Sequence, residues 1–170
     1  MYNYKIVKQV TRRPKPLYKV MKTIMIVLAV ILILLGIMIS QGFMLPGFLL
    51  VALYFAYTTF GQKDYEYVLE DNRMTIDVIL GKKHRKTAHI LDMESLEVIA
   101  PNWHEAVAKY RKNGGSIRLR KYDYTSYEPD TPYYTMIIME NREKIKLLLD
   151  LDDEMLQPLK RKYPEKVHFA

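Results

Sequence analysis

The sequence predicts an α+β membrane protein: an N-terminal two-helix transmembrane hairpin, then an antiparallel split β-barrel of about seven strands with a C-terminal capping helix. Three observations predict it. From Thr23 to Phe60 no side chain is charged, and only Ser40-Gln41-Gly42 and Pro46-Gly47 interrupt the apolar run. One helix of that length would measure about 57 Å against a hydrocarbon core of about 30 Å, so two crossings fit and one does not. After Gly61 the hydrophobic period falls to two, the mark of half-buried strands. Near the end, Asp152 and Asp153 precede an apolar stripe at helical spacing.

Residues 1–19 read as a basic arm in which Pro14 and Pro16 delay the first helix. The hairpin occupies 20–60, with crossings at 20–39 and 43–60. Starting the second near Phe43 places Pro46 in the first turn, where its missing N–H costs little, and sets Tyr54 and Tyr57 toward an interface that favours amphipathic rings. Residues 61–170 form one domain. Tyr65, Tyr67 and Leu69, then Met74, Ile76, Val78 and Leu80, alternate with other residues across the turn Asp71-Asn72-Arg73, which reads as a hairpin with one buried face. Further strands fall near 87–91, 96–100, 116–122, 133–140 and 144–150. Residues 102–113 read as either a short helix or a long loop. Met155, Leu156, Leu159 and Tyr163 form the stripe of the closing helix, which Pro158 should kink or delay.

The formal charge of +7 is unevenly placed. Lys5, Lys8, Arg12, Arg13, Lys15, Lys19 and Lys22 all precede the apolar run with no acid among them, and the rest of the chain sums to zero. A neutral remainder lacks the footprint that phosphate-backbone binding needs, so nucleic acid is not expected as a partner. Those seven cations act as topology-setting charges that hold the N terminus in the cytoplasm, and a hairpin returns the large domain to the same side. The expectation is a cell-membrane, multi-pass protein with both termini cytoplasmic. The apolar stretch is too long for a signal peptide and lacks a small-x-small cleavage site. With no cysteine, disulfides and thiolate metal sites are excluded.

The order of elements resembles the bacterial membrane-anchored PH-like domains. The residues that carry the likeness are YEYVLEDNRMTIDVILGKKHRKTAHILDMESLEVIAP, Tyr65 to Pro101, where an acidic turn, a strand, a glycine, a basic turn and a strand precede Ile90 to Val98. The tail YYTMIIMENREKIKLLLDLDDEMLQPLKRKYPEKV is similar to the last two strands and helix of an uncharacterised family of small Firmicutes membrane proteins of this kind. The resemblance implies a PH-like fold for the domain and carries no biochemical activity with it.

Several residue groups are candidates for function, each with a structural alternative. The basic turn Lys82, Lys83, His84, Arg85 and Lys86 suits anionic lipid headgroups, or is a solvated tip whose charges discourage edge pairing. Trp103, Tyr122, Tyr124, Tyr127, Tyr133 and Tyr134 suit a partner surface, or are ordinary packing. Gly36 with Ser40, and Ala52 with Ala56, allow close helix approach, either between copies in a homo-oligomer or within the hairpin. His84, His89, His104 and His168 show no i, i+4 pairing for a metal, and no nucleophile elbow or phosphate loop is present. No catalytic, cofactor or metal residue is assigned. With no charge from Thr23 to Phe60, a transporter or pump is not expected. The expected role is a non-enzymatic protein-interaction or scaffold module at the inner leaflet, contacting the lipid bilayer and another protein. The alternatives are a sensor of anionic lipid headgroups through residues 82–86 and an enzyme with an unidentified site.

Overall fold

The computed structural model describes residues 4–169. The chain separates into two compact units. A hairpin unit comprises Arg13–Lys63 with Ile79–Arg85, and a sheet unit comprises the chain up to Arg12, Asp64–Val78 and everything from Lys86 onward.

The first element corrects the expected arm. Strand β1, Lys5–Thr11, pairs antiparallel with β2, Lys63–Glu70, in a register running from Lys5 opposite Glu70 to Thr11 opposite Asp64. Alternation explains it: Ile6, Lys8 and Val10 share one face, Val10 is buried, and the charges at positions 5 and 8 masked the pattern. Lys5 Nζ lies 2.6 Å from Glu70, and Lys8 Nζ lies 3.0 Å from Asp152. These lysines are strand residues with carboxylate partners.

Helix α1 spans Pro16–Met38, four residues earlier than expected, because Pro16 occupies its first turn, where the donor it lacks has no intrahelical partner in any case. Ser40 then caps a short 3₁₀ turn at Gln41–Phe43, its Oγ accepting from the Gly42 N–H at 3.4 Å. Helix α2 follows at Met44–Phe60 with Pro46 in its first turn. Pro16–Met38, and the 3₁₀ turn with α2 taken together as Gln41–Phe60, are long and apolar enough to cross a bilayer. They pack as a hairpin where glycine removes the side chain. A Cβ on Gly36 would stand 2.9 Å from the Met44 nitrogen, and one on Gly47 would stand 2.8 Å from Ile33 Cγ1. Gly36 is therefore used within the hairpin, and Ser40 belongs to its turn. Ala52 and Ala56 are exposed.

Four strands form one sheet in the order β1-β2-β3-β4, with β3 at Arg73–Leu80 and β4 at His84–Asp92. The other sheet has the order β5-β7-β8-β6: β5 is Leu96–Pro101, β6 Arg120–Asp123, β7 Tyr134–Glu140 and β8 Glu143–Leu149. Residues Asn141 and Arg142 both take positive φ, +50° and +67°, as a two-residue hairpin turn demands. Among the described residues eight strands thus stand where about seven are expected, β1 being the addition. The strand expected at 116–122 is confined to β6, which lies parallel to β8 over four residue pairs. Between β5 and β6, Glu105–Tyr110 forms a 3₁₀ helix. Helix α3, Asp153–Lys162, starts where Asp152 Oδ1 accepts the Met155 N–H at 3.1 Å, and it runs through Pro158 without a break. Met155, Leu156 and Leu159 join the core, with Tyr67, Leu69, Met74 and Ile76 from one sheet and Met136, Ile138 and Leu147 from the other.

Candidate functional site

The segment between β6 and β7 builds a concavity in the sheet unit. Asp123 opens it, its Oδ1 accepting from the Thr125 hydroxyl at 2.8 Å and the Thr125 N–H at 3.2 Å. Ser126 donates its N–H to Asp150 Oδ2 at 2.7 Å, and Glu128 donates its N–H to Ser126 Oγ at 3.2 Å. From just past the end of β1, Arg12 reaches across. Its Nε donates to the Thr125 carbonyl at 3.1 Å, and a terminal nitrogen donates to the Asp123 carbonyl and carboxylate. The guanidinium lies 4.3 Å from the Tyr127 ring centre and 4.8 Å from that of Tyr65, so charge-assisted hydrogen bonds and ring contacts fix the loop together. The result is a cleft of about 600 Å³ with Trp103, Tyr127 and Tyr133 on its walls and Lys121, Asp130 and Asp150 among its polar lining. Trp103 is 58% exposed and Asp150 only 4%.

The six aromatic candidates therefore divide. Trp103, Tyr127 and Tyr133 line the cleft. Tyr134 is buried in the core, and Tyr122 and Tyr124 pack against it, so those three do not form an open surface. Their alternation along β6 and β7 turns them inward, a direction that counting tyrosines does not reveal. Tyr124 instead joins a polar chain. His89 on β4 faces Glu140 through Nδ1 at 2.8 Å and Tyr124 Oη through Nε2 at 2.9 Å, and the Tyr67 hydroxyl donates to the Tyr124 carbonyl at 2.6 Å. Burial pushes the Tyr65 and Tyr124 phenols up to about 12 and Tyr67 higher still, so all three remain neutral hydrogen-bonding groups at physiological pH.

Sequence reasoning missed Arg12 in this role, along with His89, Glu140 and Asp150. Arg12 stands 111 residues from Asp123, and His89 stands 51 from Glu140, so no local spacing announces either pair. Among the described residues no group of three or more His, Asp or Glu is placed to hold a metal ion. His104 stacks on His168 with ring centres 4.5 Å apart; burial first, then His104 and Lys160, lower the His168 pKa.

The basic turn is placed differently. All five of its residues are exposed, and Lys82 to Arg85 belong to the hairpin unit while Lys86 belongs to the sheet unit. Gly81 donates its N–H to the Gln62 carbonyl at 3.4 Å, and the His84 ring stacks toward Phe60 at 6.1 Å. The topology-setting cations also separate. Lys5 and Lys8 on β1, and Arg12 just after it, have acidic partners, and Arg13, Lys15, Lys19 and Lys22 lead into or ride on α1. The Lys22 ammonium stands 5.6 Å from the Tyr54 ring centre.

No curated protein and no solved structure matches the chain. A family model does, over residues 2–169, and its span takes in β1, the apolar hairpin, both sheets and α3. On that match the chain belongs to the bacterial PH-like domain family (DUF6106).

Proposed function

We propose that this protein is a bilayer-anchored, non-enzymatic interaction module. In this reading α1 and α2 cross the cell membrane as a hairpin, the sheets and both termini stand in the cytoplasm, and the aromatic cleft docks another protein. One observation carries the anchoring: the apolar hairpin is the connection between two strands paired along their length, from Thr11 opposite Asp64 to Lys5 opposite Glu70. Both ends of the hairpin must then emerge on one side of any bilayer it enters. By the positive-inside rule, the cations Arg13, Lys15, Lys19 and Lys22 support the cytoplasm as that side. The docking surface is the cleft, since aromatic rings beside fixed polar groups are the chemistry enriched where proteins meet.

The chain has no cysteine, so single introduced thiols report position cleanly. Gln41→Cys, at the hairpin turn, should react with a membrane-impermeant maleimide in intact cells, and Glu128→Cys, at the cleft, only in inverted vesicles. The reverse pattern, or release of the protein by carbonate washing, overturns the anchoring. For docking, a photoreactive benzoylphenylalanine at Tyr133 should give protein adducts of defined mass in cells, and the same group at exposed Met139 should not. Equal yields at the two positions overturn the cleft as the contact.

A further inference from the structure

The hairpin unit holds eight cations and not one acid, whereas the sheet unit carries nineteen acids against eighteen cations. Five of the eight are Arg13, Lys15, Lys19, Lys22 and Lys63, at the two chain ends of the hairpin. The other three are Lys82, Lys83 and Arg85, which arrive there from more than twenty residues beyond Phe60. Contacts within the unit hold these segments together. The Tyr18 ring stacks on Tyr57 at 4.8 Å and donates its hydroxyl to the Tyr57 carbonyl at 3.2 Å, joining the start of α1 to the end of α2. Gly81 presses against Thr59 so closely that a Cβ there would stand 3.2 Å from Thr59 Cγ2, and its φ of +58° suits glycine. With the Gly81 to Gln62 hydrogen bond and the Phe60–His84 stack, the basic turn is pinned to the foot of α2. The opposite end of the hairpin, around Ser40 to Phe43, is uncharged.

Orienting the hairpin needs only the four cations at α1, and the positive-inside rule counts charges within about 15–20 residues of a span. Lys82 and Lys83 lie beyond that distance in sequence yet return to the span in space. We infer that the open end of the hairpin is a binding site for the phosphate of acidic phospholipid headgroups, formed jointly by the basic turn and the start of α1. Clustered cations of one sign attract a phosphate that the uncharged far end does not. The apolar helices at whose open end these cations sit favour a lipid over a free anion. Lys86 falls outside this unit and is not part of the site. The inference rests on the membrane placement proposed above and is independent of the cleft.

The test uses the full-length chain in a neutral detergent, titrated separately with dioctanoyl phosphatidylglycerol, dioctanoyl phosphatidylcholine and inorganic phosphate, with bound species counted by native mass spectrometry. The wild type should retain phosphatidylglycerol in preference to phosphatidylcholine, and inorganic phosphate should not displace it at equal concentration. Each cation near an anionic surface is worth about a fivefold change in binding, so the triple variant Lys82→Gln, Lys83→Gln, Arg85→Gln should weaken phosphatidylglycerol retention at least tenfold. The double variant Arg13→Gln, Lys19→Gln should weaken it as well. All five positions are exposed, so the fold should survive, which helical circular dichroism checks. Wild-type retention by the triple variant, equal retention of phosphatidylcholine, or displacement by inorganic phosphate each overturns the site. Carbonate washing of the same variants separates this failure from failure of the membrane placement, because a chain that stays in the membrane yet lacks lipid preference refutes the headgroup site alone.

Discussion

The two units spend similar apolar side chains in opposite ways. In the sheet unit Ile138, Met136 and Leu147 are fully buried, so water is excluded and the hydrophobic effect stabilises the packing of sheets and helix. In the hairpin unit Ile31, Leu34 and Phe55 are 47%, 52% and 63% exposed, and the two helices meet at Gly36 and Gly47 through backbone proximity. In the proposed bilayer placement such a pair would rely on van der Waals contact, with lipid solvating its outer faces. The lesson is that an isoleucine has no fixed worth: its contribution follows from the solvent it leaves.

The strongest way to break this comparison is to make one substitution in both places, with unfolding of the full-length chain followed in detergent. Ile138→Ala should cost about 2–5 kcal/mol, through lost transfer energy and the cavity left behind. Ile31→Ala should cost less than about 1 kcal/mol, because detergent fills the vacated volume. Equal losses would mean that Ile31 packs against protein.

The boundary between the units falls between two adjacent arginines, and the next effect in size separates them. Arg12 donates to two carbonyls and a carboxylate and lies on two aromatic rings. Arg13 is exposed and has no hydrogen-bond or ion-pair partner among the described residues. Arg12→Ala should lower stability by about 1.5–3 kcal/mol, the worth of charge-assisted hydrogen bonds together with the packing they organise. Arg13→Ala should leave the melting temperature within error. A smaller effect of the same kind belongs to Tyr67→Phe, which strands the Tyr124 carbonyl and should cost about 1–2 kcal/mol in the same unfolding measurement.

That pair of arginines also shows where sequence reading stops. The two apolar helices were legible because a long stretch without charge, broken by turn-forming residues, has few other readings, and the structure returns helices at Pro16–Met38 and Met44–Phe60. The β2–β3 hairpin was legible from period-two alternation around Asp71-Asn72-Arg73, β7 and β8 as strands expected near 133–140 and 144–150, and α3 from its Asp152 cap. Strand β1 was not. Its partner β2 lies beyond the whole hairpin, and lysines at two of its seven positions imitate a solvated arm. The cleft was half legible. Trp103, Tyr127 and Tyr133 stood out by residue type, but Arg12 and Asp150 reach the loop only through pairings made by the folded sheets.

The smallest expected effect tests whether the sheet unit's mixed charge is organised or merely balanced. Glu97 on β5 lies 3.6 Å from Lys109 and also contacts Lys144 and the Tyr110 hydroxyl. Burial pushes its carboxyl up, but the hydrogen bonds from Lys144 and Tyr110 outweigh that and hold it below the ordinary value of 4.5. A carboxyl that ionises more readily folded than unfolded stabilises the fold above the unfolded pKa, and that contribution fades as pH falls through the lowered native value. The melting temperature of the wild type should therefore exceed that of Glu97→Gln at pH 7, and the gap should close as the pH drops below about 4.5. Its size is modest because the side chain is 32% exposed and solvent screens the pairing. A gap that stays constant down to the acid limit would show that Glu97 acts through packing alone, and the charges on this face would then be balanced without being paired.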